Sequence, residues 1–418
     1  MTLPVAPPLW RARSAHRRWL AAEADSLLAF YEPDLIDPLG GFANLDARGR
    51  PLASDRVRLL HETTRMVHCF AIAHLLGRPG AADIVDHGMK AIRERHRDSR
   101  HGGYFWSFDD DGPRERDKLA YGHAFVLLAA ASAKCVGHPD ADALLADVAE
   151  ILEARFWDKA HGASAEEFRD DWTPFSDYRG QNANMHLTEA LMAAFEATND
   201  RGFLAKAESV ADLILRRSAA AYDWRVPEHY RADWTVERDY KGSDMFRPYG
   251  VTPGHSLEWT RLALQLWALG GRRLAWLPDA ARGLFARALA EGWDKTRGGV
   301  YYTLEWSGAP RVRDRLWWPV CEGIGAATFL GALDSGEAVE AESVEAWYRR
   351  LWGFAARHLI DRRDGGWLPQ LDDSLEPIDG YFVGKPDLYH ALQACLIPLY
   401  PTDGSLTRGI LSQTESAA

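Results

Sequence analysis

Apolar residues recur at helical spacing along most of this chain, in two alternating kinds of segment. Six segments, residues 57–77, 119–137, 182–200, 255–271, 318–334 and 386–398, are rich in Ala and Leu and apolar on most sides. A helix with no wet face is a buried one. Six others, residues 15–31, 82–96, 141–155, 203–217, 279–291 and 339–358, carry charge along one face and read as outer helices. The two kinds alternate strictly. Small residues such as the Ala run 129–131 let neighbouring inner helices approach closely.

The turns between them repeat. DPLGGF from Asp37, DSRHGGY from Asp98, DKAHGAS from Asp158, DKTRGGV from Asp294 and DRRDGGW from Asp361 each place an Asp ahead of a Gly, usually doubled. A degenerate sixth, YDWRVPEHYRADW from Tyr222, falls where the series needs it. After each turn comes a short aromatic hairpin, then an inner helix. Self-similarity of this kind marks a repeat architecture. The expected fold is all-α: an (α/α)6 barrel with short β-hairpins at its mouth, one domain over residues 1–418, with a loose tail from about 408. Strands do not alternate with helices, which argues against a (β/α)8 barrel.

The bulk numbers narrow the function. Among 418 residues, 47% are hydrophobic and 17 are Trp, enough for a large core. The net charge of −11 and the lack of a long basic run exclude nucleic acid as a partner. No apolar run reaches membrane-spanning length, and the N-terminus has no signal-peptide core. Cys69, Cys135, Cys321 and Cys395 lie far apart in apolar runs, as free thiols of a reducing compartment do. A cytoplasmic protein, monomer or homodimer, is expected.

Candidate chemistry sits where the inner helices begin. Arg65, Tyr121 with His123, Asn182 with His186, His255 with Glu258, Trp318 with Glu322, and His390 are polar interruptions of apolar segments, nearly all in the first turn or two. In an alternating barrel all inner N-termini open at one end, so these side chains share one cup. Helix N-termini favour oxyanions; imidazoles and a guanidinium added there suit a reaction through an enediolate. In GVTPGHSLEW, residues 250–259, His255 and Glu258 share a helix face, so the carboxylate is expected to fix the imidazole tautomer. The hairpin aromatics Tyr104, Trp106, Tyr301, Trp306 and Trp367 are expected to rim the cup. His61, His68, His74 and His161 lack the early placement and read as structural. Blander roles stand beside these: Arg65 could pair with Glu62, Glu322 could brace a neighbouring helix, and Tyr121 and Trp318 could be packing. A zinc sphere of His186, His255, Glu258 and His390 is disfavoured, since no HExxH occurs and no Cys joins the group. No GxGxxG or GxxxxGK[ST] follows a strand, so no nucleotide cofactor is implied.

The set NANMHLTEAL, TPGHSLEW, WWPVCEGIGA and GKPDLYHALQ, in this order over nearly the whole chain, resembles the N-acylglucosamine 2-epimerase superfamily, and within it the aldose–ketose isomerase branch. The resemblance implies an (α/α)6 barrel that needs no metal or nucleotide. It implies two acid/base histidines at the positions of His255 and His390, and Arg65, Tyr121, Asn182, His186, Arg247, Glu258, Trp318 and Glu322 as substrate-binding or supporting residues. The implied reaction interconverts D-mannose and D-fructose, with lyxose and xylulose as further substrates. Sulfoquinovose isomerisation or 2-epimerisation of mannose and glucose are the alternatives. A glycoside hydrolase would need two opposed carboxylates, for which Glu258 and Glu322 are candidates, but would leave the histidines unexplained. A non-catalytic sugar-binding scaffold would bind without proton exchange.

Overall fold

The computed structural model describes residues 9–243, 245–333, 338–339 and 342–417. Among them are thirteen α-helices, α1 (Ser14–Tyr31), α2 (Leu60–Leu75), α3 (Ala81–Ala91), α4 (Ala120–Cys135), α5 (Ala141–Ile151), α6 (Gln181–Thr198), α7 (Arg201–Ala211), α8 (Pro253–Leu269), α9 (Trp276–Gly292), α10 (Trp317–Leu333), α11 (Val344–Phe354), α12 (Tyr389–Leu396) and α13 (Leu406–Ala417). The even-numbered helices α2 to α12 pack each on the next, and α12 returns to α2, closing an inner ring. The odd helices α3 to α11 each pack on the inner helix before them, and α1 packs on α12. This is the (α/α)6 barrel. The inner helices are buried on nearly every side: in α10 all residues from Trp317 to Leu330 are buried, and in α4 only Tyr121, Lys134 and Cys135 are not. One contiguous apolar cluster, from Leu20 to Ile410, fills the space between the rings.

Each outer helix leads through a turn and an extended segment into the next inner helix, and these extended segments zip around the mouth. Arg58–Leu59 pairs with Ser107–Asp109, Lys118–Leu119 with Glu167–Phe168, Arg179–Gly180 with His229–Tyr230, and Arg315–Leu316 with Gln370–Leu371, all antiparallel. Each ladder joins one repeat to the hairpin of the next. A two-residue ladder is weak alone, but here it fixes where every inner helix starts.

The repeated Asp turns have a shared physical basis. Asp37 binds Arg58, Asp98 binds Lys118 at 2.7 Å, Asp294 binds Arg315, and Asp361 binds Lys385 at 2.7 Å. In each case a buried cation just ahead of an inner helix is neutralised by the carboxylate of the preceding turn. The same Asp also caps its own turn, as Asp98 does for the Arg100 and His101 amides. The second Gly is required: Gly299 has φ +81°, and a Cβ there would lie 2.6 Å from both Arg315 and Phe354. Asp158 departs from the pattern and binds His161 at 2.7 Å.

The segment expected to be a loose tail is helical as α13, with Ile410 buried. It lies across the far end of the barrel from the hairpins, over a cavity of about 1100 Å³ counting its opening. All four cysteines are free thiols. No described helix is long and apolar enough to cross a membrane.

Candidate active site

The N-terminal turns of the inner helices converge on a pocket of about 540 Å³, mouth included. Its wall contains Arg65 from α2, Tyr121 from α4, Asn182 and His186 from α6, His255 and Glu258 from α8, Trp318 from α10, and His390 from α12. The larger cavity under α13 meets the middle and C-terminal parts of the inner helices, Glu189 and Arg261 among them, and lacks the amide donors of their N-termini.

Two imidazole–carboxylate pairs dominate the pocket. His390 Nδ1 lies 2.8 Å from Glu322 Oε1. His255 Nδ1 lies 2.9 and 3.0 Å from the two oxygens of Glu228. The Trp318 ring packs against both imidazoles, with centroids 5.1 Å from His255 and 5.9 Å from His390. Pro253 opens α8, and Gly254 lets that indole approach: a Cβ there would sit 2.4 Å from the Trp318 ring. A carboxylate accepting from Nδ1 leaves Nε2 as the free base of a neutral imidazole.

Glu228 was not foreseen as the partner of His255. It is also a helix cap, since its Oε1 accepts from the Thr252 amide at 3.2 Å, just ahead of α8. The Gln181 amide donates to Glu228 Oε2 at 2.8 Å and accepts from the Trp259 indole at 2.7 Å, which fixes the carboxylate plane. Burial drives the Glu228 carboxyl upward, but the charge and hydrogen bond of His255 outweigh it, and the net direction is down.

Glu258, expected to orient His255, faces elsewhere. Its Oε1 lies 3.5 Å from His186 Nδ1 and 3.7 Å from the Arg261 guanidinium. Burial and the nearby Glu322 charge push it well above the usual carboxylate range. Glu322 goes the other way. Burial would raise it, but Arg261 at 3.0 Å and His390 bring it down to about 2. Two carboxyls one helix apart are thus pushed in opposite directions, as expected when like charges share a buried site. His186 is held neutral, first by burial and then by the charges of Arg65, His390, His255 and Arg261. Glu258 with His186 and Glu189, and Glu258 with Glu322 and His390, are grouped closely enough to hold a cation. The cation among them is the Arg261 guanidinium, which reaches Glu322, Glu189 and Glu258 at 3.0, 3.1 and 3.7 Å.

Arg65 binds Asp387 at 2.6 Å and the Tyr121 hydroxyl at 3.0 Å, and lies over the Phe125 and Tyr389 rings. Its partner is therefore Asp387, not Glu62. Asn182 Oδ1, His186 Nδ1, Arg65 Nε and Glu258 Oε1 have no hydrogen-bond partner among the described residues. Buried polar atoms of that kind need a ligand or water, and here they surround the pocket.

A sequence model of the N-acylglucosamine 2-epimerase (GlcNAc 2-epimerase) family matches residues 40–394. The chain belongs to this family. Among its relatives, D-mannose isomerase of Thermobifida fusca is 44% identical over 95% of this chain and 98% of that protein. D-mannose isomerase of Pseudomonas cannabina pv. alisalensis is 42% identical over 95% and 96%. A crystal structure of D-mannose isomerase superposes with a TM-score of 0.85 at 33% identity, covering 94% of this chain and 99% of that one. Cellobiose 2-epimerase from Spirochaeta thermophila shares the fold, with a TM-score of 0.78 at 23% identity over 96% and 100%.

Within this N-acylglucosamine 2-epimerase family barrel, nine of the eleven candidate residues are at the pocket: eight line it and Glu322 stands directly behind His390. His123 is outside it, its Nε2 accepting from the Tyr104 amide at 3.2 Å and its Nδ1 2.8 Å from the Leu119 carbonyl. Arg247 is the other exception. Its guanidinium is bound to Glu167 at 2.7 and 3.2 Å and stacks over Tyr178, outside the pocket wall. His61, read as structural, does line the pocket, stacked on Trp106 with centroids 5.0 Å apart and planes 7° apart. His68 hydrogen-bonds Ser132 and His161 binds Asp158, away from the pocket. Of the expected rim aromatics only Trp106 comes near. The Tyr104 hydroxyl binds Asp147 and the Trp367 indole binds Glu23, both outside the cup. The mouth is formed instead by Met245, Phe246, Tyr302, Trp317 and Phe382.

Proposed function

We propose that this protein is an aldose–ketose isomerase that interconverts D-mannose and D-fructose. The observation that carries the reading is the pair of carboxylate-backed imidazoles, His255–Glu228 and His390–Glu322, in the wall of one pocket that also holds Arg65. The D-mannose isomerases at 42 and 44% identity support it.

In the proposed reaction the open-chain aldose lies with C1 and C2 between the histidines. His390 Nε2 removes the C2 proton as the C1 carbonyl oxygen becomes the enediolate oxygen. Arg65 and the amide ends of the inner helices stabilise that charge. The proton held on His390 returns to C1, and His255 carries a proton from O2 to O1, leaving a carbonyl at C2. Ring opening beforehand uses the same His255. General acid/base assistance of this kind contributes about a hundredfold or more. His186, held neutral, and Asn182 contact substrate hydroxyls. We place the enzyme in the cytoplasm, as a monomer or homodimer acting on a free monosaccharide, with lyxose and xylulose as further substrates.

The deciding experiment incubates the protein with D-mannose in deuterated water and follows the products by NMR. Fructose is the expected product, with deuterium at C1 to the extent that the proton held on His390 exchanges with solvent before it is returned. Glucose deuterated at C2, without fructose, identifies a 2-epimerase instead. Neither product, with no loss of the C2 proton, removes the enediolate chemistry.

A further inference from the structure

His390 does not stand on Glu322 alone. Glu322 Oε2 accepts from Arg261 Nε at 3.0 Å, Arg261 Nη1 reaches Glu189 Oε1 at 3.1 Å, and the Tyr389 hydroxyl donates to Glu189 Oε2. Tyr389 precedes His390 on α12, its ring edge against the imidazole with centroids 4.8 Å apart. The chain of contacts therefore begins and ends at the same helix, having crossed α10, α8 and α6 beneath the pocket floor. Every member is buried, Arg261 to 2% exposure. Arg261 lies behind the wall of the substrate pocket.

The geometry suggests why a guanidinium is there. Glu189, Glu258 and Glu322 come from three helices, and carboxyls buried this close together favour their protonated forms unless a cation stands among them. Arg261 gives its two short contacts to Glu189 and Glu322 and only a long one to Glu258. Held this way, Glu322 is an acceptor with no proton of its own, so the imidazole hydrogen must sit on Nδ1.

We infer that Arg261, braced by Glu189, is a positioning residue for His390: it keeps Glu322 ionised, which holds the imidazole proton on Nδ1 and leaves Nε2 as the base facing the sugar. The inference rests on the isomerase reading for its kinetic test and on the contacts alone for its spectroscopic one. Other groups facing His390 are Arg65 from α2, His186 from α6, His255 and Glu258 from α8, and Asp387 ahead of α12; all are unchanged in the variants below.

The test compares the pH dependence of kcat/KM for mannose in the wild type and three variants. Removing the cation in Arg261→Gln strengthens the pull of the carboxylates on protons, so the acid limb moves to higher pH by about one unit, the size of effect one nearby charge produces. Glu189→Gln removes an anion and moves the limb to lower pH. Arg261→Lys keeps the charge, so its limb stays at the wild-type position even where the rate falls. A role limited to packing moves none of the limbs, or moves the Lys and Gln variants alike, and either result overturns the inference. If Arg261→Gln does not fold, an unmoved limb in Glu189→Gln is enough to overturn it. The tautomer of His390, read by 15N NMR of histidine-labelled protein, gives the answer without turnover. Wild type and Arg261→Lys are expected to show Nδ1–H, and Arg261→Gln to lose it. A wild type that holds Nδ1–H but does not isomerise mannose sinks the functional reading and leaves the relay standing. Nε2–H in the wild type sinks the relay whatever the turnover.

Discussion

Glu228 shows at the residue scale why a site's partners are harder to read than its chemistry. His255 and Glu258 share a helix face three residues apart, and that spacing suggested a pair. The α8 side chains instead diverge: His255 turns toward the loop before its own helix, and Glu258 turns inward to Arg261 and His186. Glu228 lies 27 residues upstream of its imidazole, in the degenerate turn. Its only sequence signal is an acid within the turn that had lost its glycines. Replacing Glu228 by Gln keeps the shape and the cap contact but removes the charge that favours the imidazolium during turnover. The expected outcome is a loss of about a hundredfold in kcat with unchanged circular dichroism and little change in KM. A loss confined to KM would assign Glu228 to ground-state binding instead.

At the scale of elements, the turn repeat carries more than the reversal of chain direction. Its Asp was legible as a turn residue, and its second role, neutralising a buried Arg or Lys at the foot of the next inner helix, was not. Those cations lie about twenty residues on in sequence, within the extended segments that the hydrophobic period does not resolve. Lys118 is fully buried with Asp98 as its carboxylate partner. Truncating one member of such a pair strands the other charge, at a cost of about 3 kcal/mol or more. Asp98→Ala is therefore expected to lower the urea midpoint sharply, while Asp158→Ala, whose partner His161 is partly exposed, is expected to lower it far less. Equal effects would mean that turn geometry, not charge neutralisation, is what the Asp supplies.

The whole molecule has a pH profile written into its burial. His68 is held down to about 4, and His96 and His123 to about 3, in each case chiefly by burial. Their folded values lie below the ordinary 6.5, so the unfolded chain binds the extra protons, and their contribution to stability is full above pH 6.5 and lost as pH falls. Glu322, held to about 2, adds a loss that begins below 4.5. Glu62 and Glu166 act in the opposite sense. Burial raises them to about 8 and about 7, so their contribution is full below 4.5 and lost as pH rises through those values. Thermal melts across pH 3 to 9 should therefore show the highest Tm between about 4.5 and 6.5, with the steeper fall on the acid side. A Tm still rising from pH 6.5 to 8 would contradict this balance.

The alternation of fully apolar and one-sided segments, with a turn motif between them, was sufficient to determine the barrel, because periodicity is a local property and six repeats of it admit few closed arrangements. It also marked the pocket residues, since a polar side chain early in an apolar helix has few other reasons to be there. What the tertiary structure alone decided was who pairs with whom: Glu228 with His255, Asp387 with Arg65, Arg261 among three carboxylates, and Arg247 turned away to Glu167. Electrostatic partners are chosen by distance in space and by which desolvated charge must be neutralised, and neither quantity is written in the order of residues along one helix.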